Sequence, residues 1–164
     1  MFYKATELYS PGEIIRKGHF GRLIEGMGLK GRPHLVYREF VFELIRKTHY
    51  QNLPSRMRST FVFPTEEIAR KAKDRAPYGE HIYRIRAAQN PCPKSSFDMA
   101  WIDAFEDHFG GGLHAFQGIE EFVNKYWTGE KYFDQEKSVN ETLIDSDIII
   151  VERITPVAEN GLKK

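Results

Sequence analysis

The run Ile148-Ile149-Ile150-Val151, entered through Asp147, constrains the fold more than any other stretch of the chain. Side chains alternate across a strand, so a segment apolar at every position needs cover on both faces. The stretch 147–154 therefore predicts a central strand, which the rest of the chain must bury in layers. With 164 residues the chain suffices for one domain that hides roughly two thirds of its unfolded surface. We take 1–155 as that domain and 156–164 as a frayed C-terminal tail.

Other segments supply the layers. Met1-Phe2-Tyr3-Lys4-Ala5-Thr6 reads as a first strand, ended by Ser10-Pro11-Gly12. Pro11 suits the first turn of a short helix, capped by Ser10, that carries Ile14 and Ile15. Residues 18–33 hold five glycines, with Arg22, Lys30 and Arg32 among them, and read as a mobile loop. From His34 to Thr48, Val36, Phe40, Val41, Leu44 and Ile45 recur at helical spacing, with Arg38, Glu39, Arg46 and Lys47 on the other side. Phe61 and Phe63 alternate with Thr60 and Val62, which predicts a strand over 59–63 that Pro64 ends. Thr65 then caps a helix whose first turn is acidic and whose last turns are basic, as the helix dipole favours.

Residues 80–87 alternate again. Phe97, Trp101, Phe105 and Phe109 step by four and predict an aromatic helix stopped by Gly110-Gly111-Gly112. Ile119, Phe122, Val123 and Tyr126 predict the next helix, stopped at Gly129, and 130–140 reads as loop. Strands and helices without a regular βαβ alternation argue for an α+β domain rather than a doubly wound sheet.

Several function classes drop out. A net charge of +1 provides no global field toward nucleic acid or membrane. The single cysteine, Cys92, forbids a disulfide within the chain and fits a cytoplasmic location. No stretch approaches the roughly 20 apolar residues of a membrane span, and the N-terminus lacks a signal-peptide pattern. Neither a Gly-x-Gly-x-x-Gly turn after a strand nor a Gly-Lys-Ser/Thr loop occurs. The histidines are scattered; His108 and His114 flank the glycine run without an evident third metal ligand. Arg56, Arg58, Arg70, Lys71, Lys73, Arg75, Arg84 and Arg86 make one locally basic strip, which is a solvated face or a footprint for phosphates.

Four segments then fall in a recognisable order: the first strand with Lys4, the stretch Arg56-Met57-Arg58-Ser59-Thr60, the helix ending Tyr126-Trp127-Thr128-Gly129, and Asn140-Glu141-Thr142. Together they resemble small bacterial and phage members of the ADP-ribosyltransferase superfamily. The resemblance implies a split, mostly antiparallel β core surrounded by helices, and NAD as the substrate that donates ADP-ribose. It implies that Glu141 is the catalytic carboxylate and that Ser59 and Thr60 shape the nicotinamide subsite. Tyr3, Lys4, Thr6 and Arg56 would position the cofactor, and residues 18–33 would form a Gly-hinged lid or substrate loop.

Breaking the nicotinamide–ribose bond builds positive charge on the ribose, which a carboxylate on a ribose hydroxyl stabilises. The motif departs from the family at three places. Lys4 stands where a His or Arg is usual, and lysine lacks the planar fork for phosphate. Phe61 replaces a second serine after Ser59-Thr60. Val139 occupies the position where arginine-directed members carry a second Glu or Gln, so the acceptor, protein or nucleic acid, stays open. A contrasting reading keeps the scaffold as a non-catalytic module that grips nucleic acid or a protein through the basic strip.

Overall fold

The computed structural model describes residues 1–75, 81–109 and 118–154. Within them the order is β1 (Phe2–Thr6), β2 (Ile14–Ile15), α1 (His19–Gly31), α2 (Pro33–His49), β3 (Thr60–Val62), α3 (Glu66–Arg75), β4 (His81–Ala87), β5 (Lys94–Asp98), α4 (Ala100–Phe109), α5 (Ile119–Trp127), β6 (Asn140–Ile144) and β7 (Ile148–Arg153). The tail from 156, the stop at Gly110-Gly111-Gly112 and His114 lie outside the described residues.

The isoleucine run is an interior strand. β7 lies between β4 and β2 in a sheet ordered β1-β4-β7-β2, and β3-β6-β5 forms a second sheet. Every pairing in both sheets is antiparallel, so the domain is α+β with an antiparallel core. Ile148 and Ile150 are fully buried, while Ile149 and Val151 on the other face are half-buried. Among the described residues the backbones of the two sheets pair at Tyr3 and Phe63. Tyr3 and Phe63 exchange backbone hydrogen bonds of 2.8 and 2.7 Å, which sets β1 beside β3. Three apolar clusters fill the interior. One joins both sheets, packing Val62 and Ile144 against Ile15, Tyr83, Ile85, Ile148 and Ile150. Another is aromatic and lies under α2, α4 and α5, with Phe42, Phe97, Trp101, Phe105, Tyr126 and Trp127.

Four sequence expectations need correction. Residues 19–31 are a helix rather than a loop. Each glycine costs a helix about 1 kcal/mol against alanine, but packing outweighs it here. Ile24 is buried, and the Phe20 ring meets Phe61 edge-on at 5.0 Å. Gly21 is required for the approach, because a Cβ there would lie 2.0 Å from the Met57 carbonyl oxygen. Ile14 and Ile15 are strand, not helix, since β7 offers them a partner: Ile14 pairs Ile149 and Ile15 pairs Ile148.

Phe97 belongs to β5, so its four-residue step to Trp101 is coincidence of register rather than a helix face. On α2 the buried face carries Glu39 and Phe42, while Phe40 at 62% and Leu44 at 53% face solvent. Thr65 does cap α3, accepting the Ile68 amide at 3.2 Å. Among the described residues no helix is long and apolar enough to cross a membrane.

Candidate functional site

A cavity of about 500 Å³ opens where β1 and β3 face α1, α2 and α4. Lys4 and Thr6 from β1, Ser59 and Thr60 at β3, and Arg56 just before it line one side. His19, Phe20, Arg38, Asp103 and Glu106 line the helical side. Five of the six residues expected to hold a cofactor therefore border one space. Tyr3, the sixth, packs against the cluster of Ala5, Phe63 and Ile82 instead. The Thr60 hydroxyl is committed to the Ser146 carbonyl at 2.9 Å. Among the described residues, the Ser59 side chain has no protein hydrogen-bond partner, although Ser59 is 98% hidden from solvent.

Behind this wall lies a buried charge network. Arg56 is 3% exposed, Glu39 2% and Glu141 0%. The Arg56 Nε donates to Glu39 Oε2 at 2.8 Å, and its Nη1 donates to the Tyr126 hydroxyl at 2.6 Å and to Glu141 Oε1. Tyr126 in turn donates to Glu141 Oε1 at 2.7 Å. Arg38 extends the chain outward, gripping Glu39 at 2.8 Å and Glu106 at 2.7 Å. The guanidinium of Arg56 also lies 4.9 Å from the Phe61 ring centre and 5.2 Å from that of Tyr126. Burying ions is costly unless they are paired and hydrogen-bonded, and each of these is.

The environment sets the protonation states. Burial alone would raise the Glu39 carboxyl, but Arg56 and Arg38 outweigh it and hold it below the usual range. Burial would likewise lower Arg56, yet Glu141 and Glu39 raise it well above its ordinary value. Burial pushes the Tyr126 phenol up, so it stays a hydrogen-bond donor. Lys4 moves the other way: burial lowers its ammonium to about 8, against the pull of Glu141. Its Nζ donates to the Phe61 carbonyl at 3.0 Å, across the junction of the two sheets.

Glu141 is neither an exposed strand-entry residue nor an open cleft carboxylate. It sits on β6, paired with Phe97 of β5, and is sealed behind Arg56. Its Oε1 is taken twice, whereas Oε2 is buried without any hydrogen-bond partner. Buried polar atoms are almost always satisfied, so this oxygen is an exception with a reason to be sought.

Sequence reasoning placed Arg38 and Glu39 on the polar side of their helix and gave Tyr126 no role beyond its place in the segment Tyr126-Trp127-Thr128-Gly129. A signal existed: Glu39 lies at helical spacing between Leu35 and Phe42, so it had to share their face. Four members of the basic strip are committed to partners within the protein. Arg56 is interior, Arg70 pairs with Glu66, Lys71 binds the carbonyls of Gln135 and Ser138, and Arg84 pairs with Glu152. The Arg75 side chain lies outside the described residues.

A family model described as "Protein of unknown function (DUF2441)" matches residues 30–156, most of the chain. The chain belongs to DUF2441. Among curated proteins none matches it. The DUF2441 segment contains Glu39, Arg56, Ser59, Thr60, Tyr126 and Glu141, while β1 with Lys4 and most of α1 precede it.

Proposed function

We propose that this protein is an NAD-consuming mono-ADP-ribosyltransferase built on an ADP-ribosyltransferase-like split core. The observation that carries the reading is Glu141 Oε2, a buried carboxylate oxygen without a hydrogen-bond partner among the described residues, on a side chain that Arg56 separates from the cavity bordered by Lys4, Ser59 and Arg56 itself. Its neighbours suit the part. Arg56 and Tyr126 hold Oε1, which fixes the carboxylate's orientation, and displacement of the Arg56 side chain would free Oε2 to accept a ribose hydroxyl. The order of strands supports it as well, because β1, β3 and β6 are successive neighbours and carry Lys4, Thr60 and Glu141.

The chemistry is a displacement at the anomeric carbon of the nicotinamide ribose. The bond from that carbon to the nicotinamide nitrogen breaks, and nicotinamide leaves with the electron pair. A nucleophile on the acceptor then forms its bond to the same carbon and loses a proton. Between these events the ribose carries positive charge, which Glu141 stabilises electrostatically. Such a carboxylate acts mainly on the transition state, so it matters for rate more than for NAD affinity.

The test compares the protein with Glu141→Gln at saturating NAD, following nicotinamide release and label transfer from NAD into a cell lysate. Loss of one preorganised electrostatic partner slows chemistry about 10²–10³-fold. Circular dichroism establishes that the variant is folded at the assay temperature. A folded parent protein that neither binds nor consumes NAD sinks the reading, and a fully active Glu141→Gln sinks the site.

A further inference from the structure

On the far side of Ser59 a second groove of about 690 Å³ runs between the start of α1 and the segment 51–59. Ser59 borders both spaces. The groove's basic side chains are Lys17, Arg22, Arg46 and Arg58, against Glu25 and Asp145. Lys17 is matched to Asp145 at 2.6 Å, and Arg46 is matched to Glu43 at 2.9 Å. Arg22 and Arg58 are different. Both are exposed, and among the described residues neither forms an ion pair.

Backbone packing brings those two arginines together. Gly18 donates its amide to the Ser59 carbonyl at 3.2 Å, and Gly21 lets α1 press onto Met57. A Cβ on Gly18 would stand 3.4 Å from Arg22 Nη1 and 3.6 Å from the Arg58 Cα, so the Arg22 guanidinium lies near the backbone from which Arg58 projects. Arg22 donates one N–H to the Lys17 carbonyl at 3.0 Å, which leaves most of its fork unspent.

We propose that this groove binds the phosphodiester backbone of a single-stranded nucleic acid, with Arg22 and Arg58 as its phosphate ligands. Two unmatched guanidinium forks fit phosphate oxygens in bidentate fashion better than they fit solvent. Leu53, Pro54, Met57 and Pro93 add apolar surface to the same groove. Its service as the acceptor site rests on the transferase reading, since it would present a base or sugar next to Ser59; the binding itself does not.

The experiment is fluorescence anisotropy of a labelled deoxythymidine oligonucleotide, without NAD, over a range of salt. The full chain is compared with Arg22→Gln/Arg58→Gln and with Arg70→Gln/Lys137→Gln, which removes the same charge elsewhere. The parent should bind within the ~10⁻⁴–10⁻⁶ M range of phosphate-driven association and weaken steeply with salt. The groove variant should bind at least about tenfold more weakly, with its salt slope reduced by roughly 1 per arginine, while the control variant keeps the parent's behaviour.

Binding that is absent, or equal in the parent and the groove variant, overturns the proposal. So does poly-glutamate that competes as well as the oligonucleotide, which would assign the groove to an acidic protein. Nicotinamide release is measured separately. Its absence would remove the transferase reading while the oligonucleotide result stands by itself.

Discussion

Arg56 is held by two carboxylates and a phenol, and removing either carboxylate leaves the buried cluster one negative charge short. Glu39→Gln should therefore destabilise by about 3–5 kcal/mol, the usual consequence of breaking a buried pair from one side. Urea denaturation at pH 7 measures it, and a loss below about 1 kcal/mol would contradict the burial of this pair. The carboxyl of Glu39 is held low in the folded state. Its contribution is thus present above its unfolded pKa and is lost as pH falls through the folded one.

Lys4 has the opposite linkage. Its folded pKa is about 8 and its ordinary value is 10.5. Between those values the unfolded chain binds a proton that the folded chain does not, so stability must rise with pH across that window. Denaturation midpoints at pH 7.5 and 9.5 should show the rise, and Lys4→Met should flatten it. The Glu141→Gln variant used to test chemistry also touches this network, which is why folding is checked beside its rate.

At the scale of elements, strands and helices with strong local patterns were legible, and those decided by distant partners were not. The alternation at 59–63 and 81–87, the Thr65 cap and the apolar spacing of α5 all reflect forces within a few residues. β2 is strand only because Ile148 and Ile149 lie opposite, and no local pattern announces a partner more than 130 positions away. α1 failed for a related reason, since Gly21 is spent on contact with Met57 rather than on a turn. Gly21→Ala tests this directly. The added methyl must displace α1 or the Met57 carbonyl, and overpacking of that kind costs about 1–3 kcal/mol. A thermal melt unchanged by the substitution would mean the contact is slack.

For the site, Glu141, Ser59 and Arg56 could be named because they border short recognisable motifs. Glu39 could not, because helix periodicity marks a buried position but does not say that an arginine from the next segment will meet it there. The exposed residues of α2 carry a complementary prediction. Phe40→Ser should change stability by no more than about 0.5 kcal/mol, as surface substitutions do, although the sequence spacing had assigned Phe40 to the core.

At the scale of the whole molecule, the sheets share little backbone but much side-chain contact. Val62 and Ile144 of one sheet pack with Tyr83, Ile85, Ile148 and Ile150 of the other. The two should therefore unfold as one cooperative unit. Native-state hydrogen exchange at Leu143 and Ile150, each central in its own sheet, should report the same opening free energy. Values differing by more than about 1 kcal/mol would reveal two separately stable parts.

The junction of Tyr3 and Phe63 has a mechanical side. The core is two plates fastened by one pair of backbone bonds, with the Lys4 ammonium reaching over as a side-chain clasp onto Phe61. The cavity lies along that same fastening. An anion that drew the ammonium off Phe61 would undo that clasp directly beneath itself.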